Sequence, residues 1–159
     1  MNIEKYYEIK NNLPANVQLI AVSKTKPASD IRLLYAEGQR AFGENKAQEM
    51  KAKHEELPKD IQWHFIGHLQ TNKIKYIASY VTLIHSIDSL ELLQEVNKYA
   101  QKNDRVIDCL LQFHVAEEET KFGFCLEECE EMLKSEAFKQ LKNVKICGVM
   151  GILSRKFLL

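Results

Sequence analysis

The chain has 159 residues, of which 45% are apolar and 28% charged, a composition ordinary for a globular protein and long enough for one domain with a buried core. Its 22 basic and 22 acidic residues balance, so no overall field favours binding to nucleic acid or to an anionic membrane. The opening segment lacks the apolar stretch of a signal peptide, and no apolar run is long enough to span a bilayer. With four cysteines that form no CxxC pair, these features predict a cytoplasmic protein with free thiols.

Short apolar segments alternate with helical patterns along the whole chain. Each apolar segment is too short for a helix, is rich in β-branched or aromatic residues and is apolar on both faces, which is typical of parallel strands covered by helices. Six strands are predicted in this way: "VQLIAVSK", "QRAFG", "WHFIG", "VTLIHSI", "VIDCLLQFHV" and "VKICGVMGI". The successive crossovers between them indicate a right-handed parallel βα array.

The segments between the predicted strands carry helix signals. Asn45 precedes the helical pattern "KAQEMKAKHEEL", and Asp88, with Glu91 three residues later, resembles a capping box before "LLQEVNKYA". The charged segment "LEECEEMLKSEAFKQL" predicts one further helix.

Two architectures fit this alternation, an open doubly wound sheet and a (β/α) barrel of the TIM type. Neither GxGxxG nor GxxxxGK[ST] follows the first predicted strand, so the strongest sign of an open nucleotide-binding sheet is missing and the α/β barrel is favoured. In both architectures, functional groups collect at the C-terminal ends of the strands. The residues predicted there are Lys24, Glu44, Asn45, His64, Gly67, His85, Ser86, His114 and Met150.

Lys24 ends the first predicted strand and has two interpretations. A lysine amine at the end of a buried strand loses hydration, which lowers its pKa and favours Schiff-base chemistry with an aldehyde or ketone. Alternatively, the lysine simply leaves the strand for water. The histidines suggest a different class of protein, a metal-dependent barrel hydrolase that uses His64, His85 and His114, although the first strand has no HxH motif and no late strand ends on aspartate.

Several motifs resemble those of the pyridoxal-phosphate homeostasis protein family, whose whole fold is the barrel of the alanine racemase N-terminal domain. They are "AVSKTKP", "GQRAFGENKAQE", "WHFIGHLQTNK", "HSIDS", "ETKFG" and "GVMG", which follow one another in that order up to Gly151. The resemblance implies a carrier and buffer of pyridoxal 5′-phosphate (PLP), held as a covalent aldimine on Lys24, that supplies apo forms of PLP-dependent enzymes. An alanine-racemase-like enzyme is the alternative within the same fold.

The resemblance also implies that Asn45, His64, Ser86 and Met150 line the cofactor site. One position departs from the family pattern, because His114 stands where the fifth strand usually ends on asparagine. The fifth-strand contact expected from the family therefore stays open.

After "GVMG" the chain reads "GILSRKFLL", whereas family members continue for two more βα units. We therefore expect residues 1–151 to form about six of the eight βα units of a barrel and residues 152–159 to form an atypical tail, with the chain truncated at its C-terminus. The phosphate-binding loops would lie in the absent units, so PLP binding is expected to be impaired. Six strands cannot close an eight-stranded barrel, so self-association through open edges is expected too.

Overall fold

The computed structural model describes residues 2–114 and 122–151 of the chain. Within these residues, six strands form one sheet: β1 (Ala21–Val22), β2 (Ala41–Glu44), β3 (Gln62–Phe65), β4 (Leu83–Ile87), β5 (Ile107–Phe113) and β6 (Val144–Gly151). All neighbouring strands pair in parallel. The six predicted strands are confirmed, although the first has a far shorter paired segment than "VQLIAVSK" predicts.

The order of the strands distinguishes the two candidate architectures. The strands lie side by side in chain order, from β1 to β6, without a reversal. A doubly wound sheet reverses its order at a switch point, whereas a barrel adds each strand beside the one before it. The sheet is therefore an open arc of the predicted (β/α) barrel. Within the described residues, β1 pairs with β2 alone and β6 with β5 alone.

Helices connect the strands and pack on one face of the sheet. They are α1 (Ile3–Asn12), α2 (Ala28–Ala36), α3 (Ala47–Glu56), a 3₁₀ helix (Thr71–Tyr76), α4 (Leu90–Lys102), α5 (Leu126–Lys134) and α6 (Glu136–Lys139). The hydrophobic core lies between sheet and helices, where Phe42 and Trp63 of adjacent strands pack in one cluster with Met50 of α3 and Leu93 of α4. No described helix is both long and apolar enough to cross a membrane.

Helix boundaries differ from the predictions at three places. Ser89, not Asp88, caps α4, because Ser89 has extended backbone angles and its side chain accepts the N–H of Leu92 at 3.2 Å. Lys46, rather than Asn45, is the residue that precedes α3. The single helix predicted over "LEECEEMLKSEAFKQL" is two helices, because Ser135 adopts an extended conformation and accepts the N–H of Phe138, beginning α6.

Candidate functional site

The candidate residues lie at one end of the sheet, most of them on the face opposite the helices, which we call the inner face. Phe42 and Trp63 are paired in register and are buried against the helices. Side chains alternate between the two faces of a strand. The neighbouring register pairs, Val22 with Gly43 and Gly43 with His64, therefore lie on the inner face.

Lys24 lies just after β1, in a turn. The N–H of Ser23 donates to the carbonyl of Gly43 at 2.9 Å, so the chain is still extended there, and the buried Ser23 side chain lies on the helix side, bonded to Glu44. Lys24 itself begins the turn, in which the N–H of Lys26 donates to the carbonyl of Ser23 at 3.0 Å. The Lys24 side chain is exposed, so the predicted loss of hydration of the amine is not found. Thr25, the next residue, has a positive φ of 62°.

His64 and His85 meet on the inner face. Nδ1 of His64 lies 2.9 Å from Nε2 of His85, so one ring donates and the other accepts in a pair of neutral imidazoles. Burial, reinforced by the nearby His85, lowers the pKa of His64 to about 4, and burial also lowers the pKa of His85. The other ring nitrogen of His64, Nε2, is buried and has no hydrogen-bond partner among the described residues.

Ser86 owes its position to an irregularity in β4. Ile84 pairs with Cys109 and Ile87 with Leu111, so His85 and Ser86 together lie opposite a single residue of β5. A bulge of this kind redirects a side chain and is common beside functional sites. Ser86 is buried, and its hydroxyl oxygen has no partner within the described residues. The sequence shows no signal for this bulge.

Asn45 follows β2 and is held by the loop after β3. A Cβ atom on Gly67 would lie 2.6 Å from both the Cβ and the carbonyl oxygen of Asn45, so only glycine allows the two segments to approach this closely. The side-chain oxygen of Asn45 is buried and, within residues 2–114 and 122–151, has no partner. The two predicted strand-end residues are therefore in direct contact.

Met150 and His114 lie at the ends of the last two strands. Met150 is half-buried in β6, in register with Gln112 of β5. His114 is exposed, and its backbone N–H donates to the carbonyl of Phe124 at 3.2 Å. The motif "ETKFG" begins in residues 115–121, which lie outside the described residues, as does the predicted tail, 152–159.

The histidines do not form the metal site of the hydrolase interpretation. Among the described residues, no group of three or more His, Cys, Asp or Glu side chains is placed to hold a metal ion. His64 and His85 instead hydrogen-bond to each other, and His114 is an exposed residue beyond the end of β5.

A buried lysine that the sequence does not predict lies behind the site. Lys53 of α3 is 7% exposed and donates to Glu44 and to Glu49, each at 2.7 Å. Burial raises the pKa of Glu44, opposed by its bonds from Lys53 and Ser23, whereas the bond from Lys53 lowers the pKa of Glu49. The i,i+4 spacing of Glu49 and Lys53 predicts only a surface pair. The burial of Lys53 depends on the positions of β1 and β2.

The chain is similar to several known proteins. The model of the alanine racemase N-terminal domain family matches residues 3–156. A pyridoxal phosphate homeostasis protein of Aquifex aeolicus is 45% identical over 85% of this chain and 59% of its own length. Another, of Synechocystis, is 41% identical over 93% of this chain and 68% of its own length. The chain therefore belongs to the alanine racemase N-terminal domain family and, within it, to the pyridoxal phosphate homeostasis proteins.

Solved structures give the same result. PipY of Synechococcus elongatus is 38% identical, and its structures without and with PLP superpose with TM-scores of 0.88 and 0.84. In both comparisons the match covers 96% of this chain, and it covers 71% and 70% of the PipY chains. An alanine racemase of Clostridium difficile has a TM-score of 0.70 but is only 18% identical, which shows a shared fold alone. The chain thus spans about three-fifths to seven-tenths of the length of the two homeostasis proteins and PipY, and 39% of the racemase chain.

Proposed function

We propose that this chain binds PLP through Lys24 and serves as a carrier and buffer of the cofactor rather than as a catalyst. One observation carries the proposal. Asn45 Oδ1, His64 Nε2 and Ser86 Oγ are buried polar atoms at the ends of three adjacent strands, and none has a partner among the described residues. Buried polar atoms are nearly always hydrogen-bonded, so these three fit a polar ligand at this end of the sheet.

The proposed roles follow from the chemistry of each side chain. Bound PLP would supply an aldehyde, with which a primary amine can form an imine with loss of water. Lys24 offers that amine from an exposed turn, while the polar atoms of Asn45, His64 and Ser86 orient the bound group. Met150 offers an apolar, adaptable side chain for contact with the ring. The proposed PLP-binding unit is residues 1–151.

The names of the relatives support this proposal over the alternatives. The curated relatives at 37–45% identity are named for pyridoxal phosphate homeostasis, and one PipY structure contains PLP. Alanine racemases share the fold at 13–18% identity. We further propose a cytoplasmic protein that passes PLP to apo-enzymes. Its four cysteines are free thiols, which fits a reducing compartment.

The open sheet also supports a proposal of self-association. Strands β1 and β6 each have one unpaired edge within the described part of the chain, and such edges invite pairing with another chain. Val149 of β6 is an exposed apolar residue on one of them.

A PLP titration followed by absorbance, with borohydride trapping and peptide mass mapping, tests the function. We expect saturable binding with the label on Lys24 and loss of both in Lys24→Ala. Lys26→Ala is the matched control, because Lys26 is an exposed lysine of the same segment and should leave both unchanged. Labelling spread over many surface lysines and unaffected by Lys24→Ala would overturn the proposal. Formation of D-alanine from L-alanine would instead indicate a racemase.

A further inference from the structure

Lys53 places a positive charge behind the turn that carries Lys24. Its ammonium group donates to three oxygens: the carbonyl of Ser23 at 2.8 Å, Glu44 Oε1 at 2.7 Å and Glu49 Oε1 at 2.7 Å. An ammonium group has three N–H donors, so the hydrogen-bonding capacity of Lys53 is fully used. Buried in this way, Lys53 holds β1, β2 and its own helix, α3, at one point.

The residues on both sides of Lys24 belong to this network. Before Lys24, the carbonyl of Ser23 accepts a hydrogen bond from Lys53, and the Ser23 hydroxyl donates to Glu44 Oε1 at 2.5 Å. After Lys24, the N–H of Thr25 donates to Glu49 Oε1 at 2.8 Å. Lys24 lies between these two residues and is exposed.

The backbone at Thr25 needs this support. Its φ of 62° lies in the left-handed region, which is a genuine outlier for a β-branched residue. A conformation of this kind persists only where the surroundings hold it, and such residues cluster at functional sites. The N–H of Thr25 donates to the carboxylate of Glu49, and Lys53 donates to the same carboxylate and holds it in place.

We propose that Lys53, acting through Glu44 and Glu49, is a positioning residue that fixes the Ser23–Thr25 turn and so aims the amine of Lys24 at its ligand. The inference rests on the proposed function, because Lys24 is the attachment residue there. It adds that the attachment lysine depends on a second, buried lysine of α3, which acts through the turn and not by touching the ligand.

Four variants of the full chain test the proposal. Lys53→Met removes the central charge, and Glu49→Ala removes the acceptor of the Thr25 N–H while leaving the Lys53–Glu44 pair. Glu49→Gln keeps an oxygen acceptor at that position. The matched control is Lys51→Met, since Lys51 lies on the same helix and pairs with Glu55 in an exposed position at 3.5 Å.

Two measurements are made on each variant. The first is amide hydrogen exchange of a peptide that contains residues 23–26 in protein without PLP. The second is the share of borohydride-trapped PLP label on Lys24. We expect Lys53→Met and Glu49→Ala to raise the exchange rate of this peptide at least about tenfold, which corresponds to about 1.4 kcal/mol, and to lower the share of label on Lys24. Glu49→Gln should change the exchange rate and the share of label less than Glu49→Ala does. Lys51→Met should have the same exchange rate and share of label as the parent.

The proposal is overturned if folded Lys53→Met and Glu49→Ala keep the exchange rate and labelling of the parent. It is also overturned if exchange rises equally in peptides from α4 and β5, because the network would then only stabilise the whole fold. Should Lys53→Met not fold, Glu49→Ala decides the matter, since Glu49 lies at the edge of the network with a side chain that is 25% exposed. If the parent chain itself carries no label on Lys24, the proposed function fails, while the exchange measurement still tests the network.

Discussion

Two of the candidate side chains, His64 and His85, are neutral imidazoles because they are buried together. Their rings share one hydrogen bond on the inner face, in which one ring nitrogen donates and the other accepts at 2.9 Å. Burial lowers the pKa of His64 more than the electrostatic effect of the neighbouring His85 does. The site therefore offers a hydrogen-bonding group without a positive charge at this point, beside the amine proposed for Lys24.

This state of His64 predicts a pH dependence of stability. In the unfolded chain His64 binds a proton near its ordinary pKa of 6.5, but in the folded chain only near a pKa of about 4. The stabilisation is therefore complete above pH 6.5 and is lost as the pH falls toward 4. The largest loss is about 3 kcal/mol, because each factor of ten in proton affinity corresponds to about 1.4 kcal/mol. Urea unfolding at several pH values in this range measures it.

The variant that checks this prediction is His64→Gln, which does not titrate. Its free energy of unfolding should fall less steeply with acidification than that of the parent, whereas the exposed His114→Gln should follow the parent. Equal slopes for the parent and His64→Gln would show that His64 does not contribute.

Gly67 and Gly43 give a second residue-scale prediction, because added Cβ atoms meet different surroundings. In Gly67→Ala the new atom would lie 2.6 Å from the backbone oxygen of Asn45, whereas in Gly43→Ala it would lie 3.1 Å from the end of the Ile66 side chain. We expect Gly67→Ala to destabilise the fold by about 2 kcal/mol and to displace Asn45. Gly43→Ala should destabilise less, because the side chains of Ile66 and Ile20, the latter at 3.3 Å, can shift whereas a backbone oxygen cannot. Thermal unfolding separates the two, and equal effects would contradict the packing described.

At the scale of elements, short polar contacts mark where α4 and α6 begin. Ser89 caps α4 and Ser135 caps α6, in each case by accepting a backbone N–H three residues later. The start of α4 matters for the site, since it follows β4 and the bulge that places Ser86. The helix also supplies buried core residues that pack behind the sheet, including Leu93 and Val96.

Cap variants test the assignment of Ser89. Ser89→Ala removes the acceptor of the Leu92 N–H and should lower the free energy of unfolding by about 1 kcal/mol. Asp88→Ala is the matched control, because Asp88 has only a 3.5 Å contact with the half-exposed His68 and should cost less. Chemical denaturation of both variants gives the comparison. A larger loss in Asp88→Ala would restore the capping box predicted from the sequence.

At the scale of the whole molecule, the described sheet has two open edges. Val22 of β1 and Val149 of β6 are 54% and 68% exposed, although both belong to strands. In a closed barrel, neighbouring strands would cover such edges. Unpaired N–H and C=O groups on a flat apolar strand favour pairing with a second chain.

A charge on the β6 edge should therefore reduce self-association. We expect the parent to associate at micromolar concentration, as seen by light scattering, and Val149→Lys to shift the population toward monomer. Val106→Lys is the matched control, because Val106 is 55% exposed but lies just before β5, away from the edges. A sharp monomer peak for the parent, or equal behaviour of the two variants, would count against association through this edge.

Local patterns in the sequence account for much of the fold. Apolar segments of strand length alternating with helical patterns predict all six strands and their parallel pairing, because side-chain periodicity is set within each element. The sequence also predicts that the candidate residues lie at the C-terminal ends of the strands. These ends meet at one edge of the sheet, since all parallel strands point the same way. The motifs around Lys24, Asn45 and His64 were enough to identify the family.

Other features of the site depend on contacts between residues far apart in the chain. The bulge that brings Ser86 beside His85, the hydrogen bond between His64 and His85, and the burial of Lys53 all depend on how the strands and α3 are placed relative to one another. Lys53 is a helical lysine, which composition and spacing predict to be exposed. The sequence by itself determined the type of fold, the strand ends and the attachment lysine proposed here. Only the tertiary structure decided which polar groups are buried, because burial is a property of packed elements rather than of any one segment.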